Sequence, residues 1–436
     1  MNRRDFAALL LSLAATGCDL FKDRKQPLAG ERIPVFGVGG GIEPDPKLAA
    51  IPVTLPPPAA NPDWSEPGGN PSHAMGHPAL PERLARAWET SIGEGASRYT
   101  RVLSQPVVAG GQIYAMDGGV QVSALDAATG SRIWQVDLKP EAERGSAFGG
   151  GPGFWNGGLY VTSGYAQVLA LDPADGKVRW RHSVSAPLHS APTVVDGRVF
   201  AITVDNELNA LDVKDGRKLW SHNGIPETAG LIGGASPAVE GEIVVAPYTS
   251  GEVFALRVEN GRVLWSDNLA SARSVNAIAA LANIHGRPVI DRGRVFAVSH
   301  SGRLAAIDLR SGDRVWEQEI ASSHSPWVVG EYVFVLANDN ELVCLMRDDG
   351  KIRWVRPLPR YEDEKSRSDP ILWAGPVLGG NRLIVVSSTG EAVSVSASTG
   401  ELVGRQPISS GGHLEPVIAN NTLYLLTDDA NLSAYR

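Results

Sequence analysis

Short stretches in which apolar and polar residues alternate recur along the chain between residues 88 and 436. Many are separated by two-residue turn signals such as Asn156-Gly157 and Asp196-Gly197, and the runs that follow, such as 199–202, are β-branched and aromatic. Turns of this kind need positive φ angles, and the flanking residue types favour a pleated surface. The pattern predicts β-hairpins, and it contains no convincing helical period.

A longer motif repeats together with the hairpins. An apolar pair ends in Asp or a substitute, a Gly follows, and a Trp or its replacement comes four residues later, as in Asp126, Gly130 and Trp134. The Asp side chain can accept hydrogen bonds from nearby backbone N–H groups, the Gly can take a left-handed turn conformation, and the Trp can seal one sheet against the next. The Trp positions of this structural repeat are Trp88, Trp134, Trp180, Trp220, Trp265, Trp316 and Trp354, and the last copy has Gly404 at this position.

The spacing of these positions predicts the architecture. Successive Trp positions lie roughly 40 to 50 residues apart, which is close to the one-blade period of a propeller. The final repeat lacks a Trp strand of its own, so we expect the segment Leu84–Ile92 to supply it and to pair the start of the ring with its end. The sequence therefore predicts an all-β, eight-bladed β-propeller over residues 82–436, closed by an N-terminal strand near Trp88. A solenoid of the same repeats is the alternative, but it would leave Trp88 unexplained.

The first 81 residues have a different character. A short basic segment is followed by an apolar run too short to span a bilayer, and small residues stand directly before Cys18. This resembles a bacterial lipoprotein signal, so we expect residues 1–17 to be a signal peptide and Cys18 to be the lipid attachment site; an ordinary signal peptide is the alternative. Residues 18–81 are rich in Pro and Gly, which predicts an extended tether. Asp19 resembles an inner-membrane retention signal, which leaves the final membrane open.

Charge and chemistry narrow the function classes. The formal net charge is -8 with scattered basic residues, which argues against nucleic acid as a partner. Cys344 occupies an apolar position of the repeat, so no structural disulfide is expected. His73 and His77 lie in a Pro/Gly-rich tract where no helix would align them on a zinc ion. We therefore predict no catalytic residues, no metal and no cofactor. The remaining histidines, dispersed along the blades, are interpreted as surface or inter-blade polar residues.

The Trp-containing repeats are similar to the pyrroloquinoline-quinone (PQQ) enzyme repeat. Together with the lipoprotein signal, the Pro-rich tract and the opening Trp88-Glu89-Thr90-Ser91-Ile92-Gly93, they resemble the BamB family, the propeller lipoproteins of outer-membrane β-barrel assembly, in its α-proteobacterial form. The resemblance implies a non-catalytic scaffold that is lipid-anchored on the periplasmic face of the outer membrane. It further implies docking on the barrel-inserting subunit of the assembly machinery and help for unfolded outer-membrane protein clients to reach it.

In that family the docking surface includes two inter-strand loops, which correspond here to residues 229–233 and 282–285. The resemblance implies partner contacts at Leu231, Ile232, Asn283 and His285. Leu231 keeps the expected apolar character, whereas Ile232 stands where an Arg is typical and Asn283 and His285 stand where acids are typical. These departures argue against a salt-bridged contact, and both loops could instead be plain exposed connectors.

Two other function classes share the repeat. PQQ-dependent dehydrogenases need a Ca²⁺ held by oxygen ligands and an Asp base, and they typically carry adjacent cysteines, which this chain lacks. A periplasmic sensor or polysaccharide-binding propeller stays open, because loops that bind sugar and loops that bind protein look alike in one sequence.

Overall fold

The computed structural model describes residues 42–48, 51–227, 230–270 and 281–436. The predicted signal peptide, Cys18 and Asp19 lie outside the described residues. Within the described ranges the secondary structure is β-strand, arranged as eight four-stranded antiparallel sheets and one two-stranded hairpin. We number the sheets as blades 1 to 8 in chain order. The all-β, eight-bladed propeller is confirmed.

β1 (Arg86–Ser91) comes first and belongs to blade 8. Blade 1 contains β2 (Val107–Ala109), β3 (Gln112–Met116), β4 (Gln121–Asp126) and β5 (Arg132–Asp137). Blade 2 contains β6 (Gly150–Trp155), β7 (Gly158–Ser163), β8 (Gln167–Leu171) and β9 (Val178–Ser183). Blade 3 contains β10 (Thr193–Val195), β11 (Arg198–Ile202), β12 (Glu207–Asp212) and β13 (Lys218–Asn223). Blade 4 contains β14 (Ala238–Glu240), β15 (Ile243–Pro247), β16 (Glu252–Arg257) and β17 (Val263–Asn268).

Blade 5 contains β18 (Val289–Asp291), β19 (Arg294–Val298), β20 (Leu304–Asp308) and β21 (Arg314–Gln318). Blade 6 contains β22 (Trp327–Val329), β23 (Tyr332–Leu336), β24 (Glu341–Met346) and β25 (Ile352–Pro357). The hairpin β26 (Tyr361–Asp363) and β27 (Ser368–Pro370) precedes blade 7, which contains β28 (Trp373–Gly379), β29 (Arg382–Ser387), β30 (Glu391–Ser396) and β31 (Leu402–Pro407). Blade 8 contains β32 (Val417–Ala419), β33 (Thr422–Leu426), β34 (Asn431–Tyr435) and β1.

The ring closes as predicted. β1 pairs antiparallel with β34, with Trp88 opposite Ala434 and Thr90 opposite Leu432. Two backbone hydrogen bonds between Ala85 and Arg436, of 2.8 and 2.9 Å, extend this pairing. Because the ring is closed, β34 does not present an open edge to which another chain could add a strand.

The repeated Asp, Gly and Trp act together across the seam between two blades. In blade 1, Asp126 Oδ1 accepts hydrogen bonds from the N–H groups of Ala128 and Thr129 at 3.0 and 2.8 Å. Gly130 has a φ of 72°, and a Cβ added to it would lie 2.5 Å from the Trp88 ring of blade 8. The Gly is therefore required twice, for its backbone conformation and for the room that it leaves to the indole of the preceding blade.

Each repeat indole also donates its N–H to a backbone carbonyl in the neighbouring turn. The pairs are Trp88–Ala127, Trp134–Pro173, Trp180–Val213, Trp220–Val258, Trp265–Leu309, Trp316–Arg347 and Trp354–Ala397, with N···O distances between 2.8 and 3.3 Å. Gly404 interrupts the series at the seam between blades 7 and 8. The third and fourth strands of blade 8 are β34 and β1, so no repeat turn joins them, and an indole at position 404 would lack this carbonyl and this Gly.

The predicted tether over residues 18–81 does not extend to residue 81. Residues from 53 onward pack against the ring, and Trp64, Leu80 and Glu66 are buried there. The compact unit that contains the ring begins at Ile42 rather than at the predicted residue 82. Pro and Gly were interpreted as signs of an extended chain, but here they let a short segment turn tightly inside the mouth of the ring.

We call residues 59–81 the axial plug. The plug makes one circuit of the propeller and contacts the first strand, or the turn after it, of every blade in ring order. Its hydrogen-bonded pairs are Asn61–Asn420 in blade 8, Trp64–Val108 in blade 1, Ser65–Phe154 in blade 2, Glu66–Val194 in blade 3, Pro71–Val239 in blade 4, Ser72–Ile290 in blade 5, Gly76–Trp327 in blade 6 and Pro78–Gly380 in blade 7. The circuit closes on itself, because Ala59 exchanges two 2.8 Å backbone hydrogen bonds with His77 and Ala79.

The plug also accounts for the two closely spaced histidines. His73 Nδ1 lies 2.7 Å from the Pro288 carbonyl oxygen, and His77 Nδ1 lies 2.7 Å from that of Pro56. His77 Nε2 accepts a hydrogen bond from the Asn381 N–H at 2.9 Å. Both imidazoles therefore hold the plug in the ring.

Candidate functional site

An axial funnel opens at the end of the propeller opposite the plug. The funnel is a cavity of about 490 Å³, surrounded by the loops that join one blade to the next, and the plug residue Pro67 lies at its base. The plug therefore bounds the described part of the funnel at its base. The loops around this funnel contain the residues for which the sequence predicts partner contacts.

The loop between β13 and β14 forms a ridge at the rim of the funnel. Leu231, Ile232 and Gly233 line the funnel on one side and a second cavity of about 270 Å³ on the other. Ile232 is 55% exposed, and Leu231 is half-buried. The ridge thus presents apolar side chains to solvent at a position between two concave surfaces.

The structure brings the two predicted loops together. His285, in the loop before β18, has its Nε2 3.0 Å from the Ile232 carbonyl oxygen and its Nδ1 3.0 Å from the Ser323 carbonyl oxygen. A Cβ added to Gly233 would lie 2.4 Å from His285 Nε2, so this Gly makes the approach possible. A neutral imidazole carries one N–H and donates to one of these carbonyls, whereas a protonated ring donates to both. His285 therefore ties the ridge to blades 5 and 6.

Asn283 differs from the other predicted contact residues because it is only 1% exposed. It lies beneath Gly230, where an added Cβ would be 3.1 Å from Asn283 Nδ2, and its backbone carbonyl accepts a hydrogen bond from the His300 N–H at 2.9 Å. Among the described residues its side-chain amide has no hydrogen-bond partner. Leu231, Ile232 and His285 lie at the rim of the funnel, and Asn283 lies inside the protein.

A buried ion pair forms the floor of the funnel. The Arg287 guanidinium donates a hydrogen bond to the Glu415 carboxylate, and both side chains are largely buried. Glu415 also accepts from the Ser325 N–H at 3.1 Å and from Gln105 Nε2 at 3.2 Å. Gln105 Oε1 in turn accepts from the N–H of the plug residue Gly68 at 2.8 Å. The floor is therefore built from the loops before blades 1, 5, 6 and 8, and it rests on the plug.

Four histidines converge on the funnel, which the sequence interpretation did not foresee. Burial and, after it, the neighbouring His285, Arg287 and His413 lower the pKa of His324 to about 3. Burial and His285 also lower the pKa of His300. One signal could have found three of them: His285, His324 and His413 stand two or three residues before the Pro at the entry of a first strand, at Pro288, Pro326 and Pro416.

No group of three or more His, Cys, Asp or Glu side chains among the described residues could hold a metal ion. Cys344 is fully buried in β24, as its apolar position in the repeat predicts. No helix in the described ranges is long and apolar enough to cross a bilayer.

Known proteins similar to this chain include assembly factors and dehydrogenases. A protein-family profile described as "Outer membrane protein assembly factor BamB" matches residues 118–356 and 363–436. A second profile, described as the β-propeller domain of glucose, ethanol and alcohol dehydrogenases, matches residues 81–148. The BamB protein of Yersinia pestis is 30% identical over 358 residues, which cover 80% of this chain and 88% of the Yersinia protein.

Solved structures from both groups share the fold. The crystal structure of BamB from Moraxella catarrhalis matches with a TM-score of 0.68 at 19% identity, covering 81% of this chain and 100% of that chain. Quinohemoprotein alcohol dehydrogenase from Comamonas testosteroni matches with a TM-score of 0.64 at 14% identity, covering 86% and 81%. At these identities the likeness concerns the fold alone.

Proposed function

The chain belongs to the BamB family of outer membrane protein assembly factors, and on that premise we propose that it is a non-catalytic scaffold of the assembly machinery. In this proposal it docks on the barrel-inserting subunit and aids the delivery and insertion of outer-membrane protein clients. The observation that carries the docking half is the ridge at Leu231 and Ile232, which exposes apolar side chains on a loop fixed by His285.

The ridge has the properties of a docking element. An exposed apolar side chain that is already fixed in position loses little conformational freedom when a partner covers it, so more of the burial energy appears as affinity. The cavities on both sides of the ridge would allow a partner to enclose it rather than lie flat against it. Since Ile232 carries no charge, we expect shape and apolar burial, rather than a salt bridge, to dominate this contact.

The proposal that the protein is not an enzyme is supported by the chemistry of its side chains and by its family. The dehydrogenase alternative requires oxygen ligands that form a cage for Ca²⁺, and the described residues contain no cluster of that kind. The profile of the dehydrogenase propellers matches only residues 81–148, whereas the assembly-factor profile matches most of the ring. No feature of the described part of the funnel or its rim specifically favours sugar binding.

The proposed location follows from the N-terminal sequence. Cleavage of residues 1–17 would leave Cys18 as a lipid-modified first residue on the periplasmic face of the outer membrane. Replacement Cys18→Ser, followed by separation of inner and outer membranes, tests this step. We expect the wild-type protein in the outer-membrane fraction and the variant in the soluble periplasm; recovery of the wild type in the inner membrane would instead support retention through Asp19.

The docking proposal is tested by placing a charge on the ridge. We expect Ile232→Asp to weaken binding of the purified barrel-inserting subunit about tenfold, which corresponds to about 1.4 kcal/mol. Val403→Asp is the matched control, because Val403 is 57% exposed on β31 of blade 7 and far from the funnel rim. Equal binding by wild type and both variants, all with unchanged melting temperatures, would contradict docking at this ridge.

A further inference from the structure

The funnel has the form of a ligand site in its own right. Its volume of about 490 Å³ is in the range of small-molecule sites, and the plug residue Pro67 is part of its lining. Its floor is held by the ion pair of Arg287 and Glu415 and by the hydrogen bond between Gln105 and Gly68. A cavity with a fixed floor can exclude water from one side of a ligand.

Apart from the two ion pairs at its floor and outer edge, the ionisable groups around the funnel are imidazoles. The titratable and charged residues that face it are Arg287, His285, His300, His324, His413, Glu415 and Asp428. Glu415 is already paired with Arg287, and Asp428 is paired with His413 at the outer edge. The carboxylates are thus engaged in pairs, whereas His285, His300 and His324 have no carboxylate partner among the described residues.

The imidazoles also have unused hydrogen-bonding capacity. The His324 ring makes no hydrogen bond to any described residue, and His300 uses only Nδ1, which lies 2.8 Å from Ser323 Oγ and 3.0 Å from Asn338 Nδ2. His285 and His413 each lower the pKa of His324, so these groups act on one another across the same cavity. An anion placed among them would reverse this repulsion and favour protonated rings.

Another part of the funnel wall is apolar. Leu103, Leu231, Leu414 and Trp373 are among the residues that line the funnel. A ligand that carried only charge would leave this surface wet, and a purely apolar ligand would leave the His324 ring without a hydrogen-bond partner. The two parts of the wall together select a molecule with an anionic end and an apolar body.

We propose that the funnel binds a carboxylate attached to an apolar group, with the carboxylate beside His324 and Arg287 and the apolar group against Leu103, Leu231 and Leu414. Two sources carry this chemistry: a free aromatic or aliphatic acid, and the C-terminal residue of an extended polypeptide. The site depends on the funnel alone and not on docking of a partner, so it stands or falls separately from the docking proposal.

Isothermal titration calorimetry on the purified full-length protein tests the site without any partner. The probes are phenylacetate, its neutral analogue phenylacetamide, and the peptide Ala-Ala-Phe with a free or an amidated C-terminus. We expect phenylacetate to bind and phenylacetamide to bind at least about tenfold more weakly, since only the acid supplies the charge. Binding of the free peptide but not the amidated one identifies a polypeptide end as a source; binding of phenylacetate alone identifies a free acid.

The pH dependence has a defined sign. Carboxylate binding takes up protons on the imidazoles, so the affinity for phenylacetate should fall as the pH is raised from 6 to 8, and the measured heat should depend on the buffer's ionisation enthalpy. His324→Gln should lower the affinity for phenylacetate at least about tenfold at pH 6. His182→Gln, on β9 at the outer edge of blade 2, is the control and should leave the affinity unchanged.

The outcome that overturns the proposal is equal affinity for phenylacetate and phenylacetamide, or binding of neither. If His324→Gln does not fold, the comparison of phenylacetate with phenylacetamide on the wild-type protein still tests the proposal. His324→Gln, which leaves the ridge residues unchanged, should lose phenylacetate affinity while it keeps its affinity for the barrel-inserting subunit, and this separates the two sites experimentally.

Discussion

The propeller is held together in two different ways at its circumference and at its axis. At the circumference, seven seams are made by the same pair of residues, an indole from one blade over a Gly in the next. At the axis, a single segment of the chain contacts all eight blades in turn. A substitution at a seam therefore disturbs the packing of two neighbouring blades. A substitution in the plug disturbs a segment that contacts all eight blades.

The largest effect is expected where the plug fills the axis. Trp64 is completely buried and stacks on Trp327 of blade 6 at 6.2 Å between ring centroids. Trp64→Ala should lower the free energy of unfolding by about 3–5 kcal/mol, because it leaves a cavity of indole size. Chemical denaturation measures this loss. Trp155→Ala removes a half-buried Trp on β6 and should lower the free energy of unfolding by less. An equal loss in both variants would show that the plug adds no special stability.

A substitution at a seam should lower the free energy of unfolding less than a substitution at the axis. A Cβ at Gly350 would lie 2.6 Å from the Trp316 ring, and the φ of this Gly is +70°. Gly350→Ala should cost about 2–4 kcal/mol, from overpacking added to backbone strain. Gly110→Ala is the control, since its φ is +58° and nothing lies within 4 Å of the added Cβ. The difference between the two variants in urea unfolding isolates the indole contact, and its absence would remove the seam explanation for this Gly.

The plug should also make the stability of the ring depend on pH. Glu66 is buried and accepts from the Val194 N–H at 2.7 Å, while its Oε2 has no partner among the described residues. Burial raises the pKa of Glu66 well above its ordinary value. The folded chain thus keeps this proton to a higher pH than the unfolded chain, so stability is lost as the pH rises above about 4.5 toward the folded-state pKa, by at most about 1.4 kcal/mol per pH unit.

Glu66→Gln should remove this loss. The free energy of unfolding of the variant, relative to wild type, should increase between pH 5 and pH 7 when both are measured by urea denaturation. Glu362→Gln, on the exposed hairpin before blade 7, should follow the wild-type curve. Parallel curves for Glu66→Gln and wild type would mean that Glu66 is ionised in the folded ring.

The smallest effect is expected at the seam that lacks its indole. Gly404→Trp restores the repeat residue on β31 but faces blade 8, where no turn joins β34 to β1. We therefore expect a change in unfolding free energy of less than about 0.5 kcal/mol, because the indole finds neither its carbonyl nor its Gly. Thermal unfolding measures this. A gain of more than 1 kcal/mol would show that an indole needs no such turn to stabilise a seam.

The ring could be predicted from sequence because its determinants are local and repeated. The turn at Asp126 and Gly130 and the Trp four residues later recur in register, and the unpaired Trp88 indicated which strand closes the circle. The plug could not be predicted in the same way, because each of its partners lies on a different blade. Trp64 pairs with Val108, but Pro71 pairs with Val239, and no sequence period relates the two.

The site was accessible to sequence reasoning only in part. Family resemblance pointed to the loops of Leu231, Ile232 and His285, and the fold brings these loops into contact. The burial of Asn283 depends on how closely Gly230 approaches it, which a linear pattern does not reveal. The convergence of His285, His300, His324 and His413 depends on ring closure, since it places loops from separate blades around one axis.

The plug and β1 share a further property that concerns the order of synthesis. Both leave the ribosome before nearly all of their binding partners, and the partner of β1 is β34, at the opposite end of the ring. During synthesis the indole of Trp64 therefore lacks its stacking partner until blade 6 has emerged, and the edge of β1 stays unpaired until the last blade has emerged. In this interval the open edge of β1 is able to pair with a second copy of the protein.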